Sequence, residues 1–188
     1  MLINKETIIK DSDPLIRQKS LPVSLPLSKE DEDLLRELYQ YVEDSRDDEK
    51  AEKLNLRPAV GISAIQVGIP KQLTAIIVNE VDKDGKDVSY NYMLVNPKII
   101  SSSVQKAYLE NGEGCLSVEA IHEGYVVRSA RVTVKAFDLI QNKEVTIRAR
   151  GYLAIVLQHE IDHFSGILFY DHIDKKNPYP VIEEAIVI

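Results

Sequence analysis

The spacing of apolar positions changes along the chain, and each change marks a different kind of element. Residues 1–27 show no sustained period, and Pro14, Pro22 and Pro26 interrupt any helical run. From Ser28, SKEDEDLLRELYQYVED sets Leu34, Leu35, Leu38 and Val42 at helical spacing, which predicts an amphipathic helix with one buried face. Ser28 and Asp31 resemble a capping box with Asp in place of Glu, and the acidic residues of the first turn suit the helix dipole. The charged, mixed-sign stretch 43–53 reads as a solvated helix end and loop.

Strand signals follow. LTAIIVN (73–79) is apolar and β-branched, as a buried strand is, and Asp82 to Asp87, with Gly85 inside, reads as a turn. YNYMLVNPKII (90–100), SVQKAYLE (103–110), GYVVR (124–128), RVTVKAFD (131–138) and EVTIRAR (from residue 144) read as further strands, the last two joined by a loop with Gln141 and Asn142. Short strands on short connections predict antiparallel pairing. YLAIVLQHEIDHFSG (152–166) is then apolar nearly all round at its start, the mark of a buried helix, with Gly166 as its stop. The expected fold class is α+β, with antiparallel or mixed β-sheets packed around a central buried helix that carries His159–His163. The expected organisation is a single domain over residues 1–188. The tail YPVIEEAIVI reads either as a strand covering the sheet or as a dimer contact.

Composition narrows the class. The 188 residues are 44% hydrophobic and 28% charged, ordinary for a globular protein. The single cysteine, Cys115, excludes an intrachain disulfide framework. A formal charge of −7 argues against nonspecific binding to nucleic acid or an anionic membrane, so neither is expected as a partner. The apolar runs fall short of the roughly 18 residues of a membrane span, and the first residues lack a signal-peptide core. The expected location is the cytoplasm.

The strongest chemical signal is His159-Glu160-Ile161-Asp162-His163. Histidines at i and i+4 share one helix face about 6 Å apart, so both imidazoles reach one metal ion. Glu160 lies a quarter-turn round from His159, placed to move a proton of a water activated by that metal. Two histidines packed in a core are the alternative, but unpaired polar groups on a buried helix are costly. A catalytic site needs a third protein ligand. Glu183 and Glu184 have thermolysin-like spacing, although the intervening NPYP leaves little room for the required helix. A metzincin pattern fails because Phe169 stands where its third histidine belongs. Cys115 remains, with Gly112 and Gly114 letting the backbone bend closely around a bound group. Gly61-Ile62-Ser63-Ala64-Ile65-Gln66 allows close backbone approach, and the Gln66 amide is a candidate oxyanion donor.

Together AVGISAIQ (59–66), EGCLS (113–117) and QHEIDH (158–163) resemble the three motifs of peptide deformylases, in order. The second and third match fully. The first departs at Ala59, Ser63 and Ile65, where Gly, Ala and Pro are frequent. The insert before the first motif and the segment 82–92 resemble the longer class from Gram-positive bacteria and their wall-less relatives. The resemblance implies that Cys115, His159 and His163 hold one divalent metal, ferrous iron with nickel, cobalt or zinc able to substitute. It implies that Glu160 is general base and then acid, and that Gln66 and the Leu116 N–H stabilise the oxyanion. It implies N-formylmethionyl nascent peptides as substrates and formate as a product; that substrate alone suggests transient ribosome contact, though no basic tail supports it. Gly61 and Gly114 are expected beside the substrate, with Ile155 and Val156 walling a methionine pocket, although ordinary core packing explains that pair as well. Glu113 is expected to pair with Arg128 and brace the cysteine loop. Asp162 reads as support for a helix or histidine group, and His122 and His172 as surface residues. Two other readings are a zinc endopeptidase using Glu183 or Glu184, and a metal-stabilised peptide-binding module without turnover.

Overall fold

The computed structural model describes residues 2–81 and 84–188. Asp82 and Lys83, the start of the expected turn, lie outside them. The helix predicted from Ser28 is α1 (Lys29–Asp44), with the Ser28 hydroxyl accepting the Asp31 N–H. Leu34, Leu35, Leu38, Tyr41 and Val42 form its buried face. Each fully buried aliphatic side chain of this kind contributes about 1.5–3 kcal/mol. The stretch expected to continue as a solvated loop instead forms a second helix, α2 (Asp48–Leu54), none of it buried. Its stability is local: Asp47 caps the Lys50 N–H, Asp48 and Glu49 occupy the first turn, and Asn55 ends it at φ 54°. The proline-interrupted N-terminus also holds one turn of 3-10 helix, Pro14–Arg17, capped by Asp13.

Among the described residues there are eight strands: β1 (Gly61–Ser63), β2 (Leu73–Val81), β3 (Asp87–Ser102), β4 (Lys106–Tyr108), β5 (Arg128–Ser129), β6 (Arg131–Asp138), β7 (Lys143–Arg150) and β8 (Ile186–Val187). The larger sheet runs β1-β2-β3-β6-β7 and is antiparallel throughout. The smaller runs β5-β4-β8, where β8 joins β4 in parallel, so the C-terminal tail takes the strand role at the edge of this sheet, with Ile186 and Val187 exposed. Two strand expectations shrink. SVQKAYLE pairs only at Lys106–Tyr108. GYVVR pairs only at its last residue, because Gly124 lies at φ 136° and the Tyr125 N–H is spent on the Pro178 carbonyl. A register shift between Val95 and Lys98 in β3 accommodates Asn96 at φ 50° and Pro97, which has no N–H to give.

The third helix, α3 (Gly151–His163), starts directly after β7. Gly151 makes this reversal at φ 61°, and Glu80 of β2 reaches over to accept the Leu153 N–H at 2.9 Å. A carboxylate at this end also suits the helix dipole. Past His163 the chain turns at Gly166, φ 69°, where an added Cβ would sit 2.1 Å from the Arg17 carbonyl oxygen. The large sheet thus lies between two helices. One apolar cluster joins its first face to α1 through Leu35, Leu38, Ala75 and Val95. The other joins its second face to α3 through Ile76, Val134, Ala154 and Leu157. The fold is α+β around a buried helix, and α3 carries its histidines toward β1 and the cysteine loop.

Candidate metal centre and active site

His159 and His163 leave α3 one turn apart, with ring centroids 5.1 Å from each other. The Cys115 sulfur is 3.5 Å from His163 Nε2, and one ligand atom from each of the three lies within 4.8 Å of the others. A small inward movement closes such a set on one ion with bonds of about 2.0–2.3 Å. His159 Nδ1 lies 2.8 Å from the Glu113 carboxylate, which fixes the ring and directs Nε2 inward. His163 Nδ1 is buried without a hydrogen-bond partner among the described residues, so that ring is oriented by packing. Three donors of mixed sulfur and nitrogen character, open to a cleft on one side, fit a first-row divalent ion. Glu183 and Glu184, the alternative ligands, are exposed in the tail, and neither belongs to this cluster.

Electrostatics favour a cation at this point. Burial pushes the Cys115 thiol up, but His163 and His159 outweigh it and bring it down to about 6. Burial pushes His159 down, and Cys115 and Glu113 outweigh that and hold it well above its ordinary value. The field that favours a proton on this imidazole also favours a divalent ion in its place.

The cysteine loop is braced from behind. Arg128 Nε and Nη2 bind the two oxygens of Glu113 at 2.5 and 2.9 Å, and its Nη1 binds Asp162 at 2.9 Å. Asp162 also meets His172 at 2.7 Å, so His172, expected to have no role, closes this hydrogen-bonded network from the surface. Gly112 takes φ 74°, whereas Gly114 is open on its Cβ side and lines the cleft.

Gln66 and Glu160 reach the same place from two elements. The Gln66 carboxamide oxygen accepts the Ser63 N–H at 2.9 Å. This turns the amide nitrogen toward Cys115 Sγ, at 3.5 Å, and Ser117 Oγ, at 3.3 Å. The Ser63 hydroxyl donates to Glu160 Oε2 at 2.7 Å, with Thr74 Oγ1 at 3.4 Å. The other oxygen, Oε1, lies 2.6 Å from where a Cβ on Gly61 would sit, too close for one to be added. Gly61 is therefore the space that Glu160 occupies, in addition to a stretch of backbone beside the cleft. The Leu116 carbonyl accepts from Lys10 and Arg57 at 3.2 and 3.3 Å. The Cys115 carbonyl accepts the Val118 N–H, which sends the Leu116 N–H the opposite way.

Of these groups, Gly61, Gln66, Cys115, Leu116, His159 and Glu160 line a cleft of about 410 Å³ that also includes Ile155, Val156, Leu109, Tyr152, Arg46 and Arg57. Sequence alone does not single out Thr74, Ser117 or the two arginines, and it marks Ser63 as a small residue allowing close backbone approach and as a departure from a motif, without its contact to Glu160. A lone hydroxyl inside the apolar run LTAIIVN was the available signal for Thr74.

The polypeptide deformylase family model matches residues 5–179. The chain belongs to this family. Among curated relatives, a peptide deformylase of Staphylococcus epidermidis is 46% identical over 187 residues and covers 100% of both chains. Peptide deformylase 2 of Bacillus subtilis is 46% identical over 187 residues, covering 100% of this chain and 99% of the relative. Among solved structures, the deformylase from Ehrlichia chaffeensis in complex with actinonin superposes at a TM-score of 0.74 with 29% identity. It covers 95% of this chain and 92% of that one. The deformylase 1B of Arabidopsis thaliana with a bound inhibitor reaches 0.68 at 28% identity, covering 90% and 82%. Deformylases are hydrolases that remove the formyl group from an N-terminal methionine.

Proposed function

We propose that the chain is a metal-dependent amidase that removes formate from the N-formylmethionine of newly made polypeptides, acting as one catalytic domain in the cytoplasm. The observation that carries this reading is the cluster of Cys115, His159 and His163, of which Cys115 and His159 line one cleft together with the Glu160 carboxylate and the Gln66 amide. These three residues would hold the ion, with ferrous iron as the proposed native metal and nickel, cobalt or zinc as substitutes. When bound, the ion supplies a Lewis acid that polarises the formyl carbonyl and lowers the pKa of the attacking water.

The other residues divide the remaining work. The water oxygen bonds to the formyl carbon while Glu160 takes one of its protons. Ser63 holds Glu160 Oε2, so Oε1 is the oxygen free to do this. The carbonyl oxygen becomes an oxyanion and receives the Gln66 amide and the Leu116 N–H. One such donor is typically worth about 3–4 kcal/mol of barrier. Glu160 then gives its proton to the methionine nitrogen as the C–N bond breaks, leaving formate and a free amine. Backbone at Gly61 and Gly114 would run beside the substrate and read no side chain, as suits an enzyme for many chains. Ile155 and Val156 would wall the methionine pocket.

Glu160→Ala tests the division of labour, because metal holding and proton transfer separate there. The variant is expected to keep one divalent ion per chain and to lose formate release by about 10²–10⁴-fold. Near wild-type turnover in the metal-loaded variant would remove Glu160 from the mechanism.

A further inference from the structure

Helix α1 covers only part of its face of the large sheet. On the β6–β7 half of that face the outward rows are Arg131, Thr133, Lys135 and Phe137 against Arg150, Arg148, Thr146 and Glu144, all exposed except the half-buried Thr133 and Phe137. Arg131 stands directly opposite Arg150, and Lys135 directly opposite Lys98 of β3. All five cations are exposed, and none makes an ion pair among the described residues. Like charges directly across a ladder destabilise a sheet. Their concentration on one half-face is the more notable in a chain of net charge −7. Blunting of an edge strand accounts for Arg148 and Arg150, since β7 is the sheet edge. It does not account for Lys98, Arg131 and Lys135, which lie on interior strands.

We propose that this cationic half-face docks the phosphate backbone of RNA. Arginine forks bind phosphate oxygens bidentately, and the hydroxyls of Thr133, Thr146 and Ser101, set between the cations, are further phosphate donors. An anionic bilayer fits less well, because exposed apolar surface here is limited to Ile100 of β3, while Phe137 packs against the α1 cluster. This departs from the expectation set by net charge, because a sum over the chain is silent on where the charges sit. The partner is placed by the proposed function, which brings the enzyme to chains emerging from the ribosome, whereas the patch itself stands on the register alone.

The test is binding of the intact, metal-loaded protein to a short RNA duplex across salt. Five phosphate contacts predict a slope of log K against log salt of about −4.5. The variant Lys135→Glu with Arg148→Glu is expected to bind at least about 10-fold more weakly, with the slope reduced by about 2. Both residues lie outside the cleft, so formate release from a short soluble peptide stays unchanged. Absence of duplex binding at low salt, or equal binding by the variant, overturns the proposal. So does wild-type binding to phosphatidylglycerol vesicles without binding to RNA, which assigns the face to a membrane. RNA binding with no formate release would count against the proposed function and leave this face standing.

Discussion

Removing the Glu113 carboxylate is the perturbation with the widest expected effect. Glu113 and Arg128 are each 3% exposed at the side chain, so the pair is fully withdrawn from water. Glu113→Ala deletes two bonds to Arg128 and the contact that orients His159. Arg128 then keeps only Asp162, which it shares with His172. Breaking a buried pair from one side costs about 3–5 kcal/mol, because the remaining charge stays buried without its partner. At about 2–4 °C per kcal/mol for a chain of this size, the melting temperature should fall by roughly 6–20 °C. Metal affinity should fall as well, by about 10–100-fold, since His159 loses the group that fixes its ring. The assay is calorimetry on the metal-loaded protein, paired with metal analysis after dialysis. A double variant with Leu at both positions should regain part of the loss, because it leaves no unpaired charge on that pair. An unchanged melting temperature with unchanged metal content refutes this reasoning.

Other predictions concern single groups. Cys115→Ala should lose both bound metal and formate release; retention of both would favour the endopeptidase reading with a tail glutamate as ligand. Val156→Ala should weaken the preference for methionine over alanine at the first residue, and an unchanged ratio of kcat/KM values would return Val156 to plain core packing. Acid should destabilise the protein through the bracing network. Burial raises Glu113 and Asp162, but His159, His172 and Arg128 outweigh it and hold both carboxyls below their ordinary values. Their contribution is complete above the unfolded values of about 4 and is lost as pH falls through the lower folded values. A urea midpoint that rises between neutral pH and about pH 3 contradicts that sign.

The parts of the fold legible in the sequence are those with a strong local period. Leu34, Leu35, Leu38 and Val42 announced α1, and the apolar run ahead of His159 announced the burial of α3. Elements without an apolar stripe were harder to read. Helix α2 rests on caps and charges with no buried residue, so hydrophobic patterning passes over it. GYVVR has strand composition, yet a tertiary hydrogen bond to Pro178 takes the N–H that a ladder would use. At the site, the ligand pair was visible because i and i+4 share a helix face. The placing of Cys115 beside it depended on resemblance, since 44 positions separate it from His159. Ser63 and Thr74 were out of reach because their meaning lies in contact with Glu160 across the fold.

The central claim is that this cleft hydrolyses a formyl amide with an ion held by Cys115, His159 and His163. Formate release from formyl-Met-Ala-Ser by nickel-loaded protein tests it most directly, because nickel avoids oxidation of ferrous iron beside a thiolate. The account predicts release of formate, and no reaction with the acetyl analogue. Fully loaded, folded protein that releases none would contradict it.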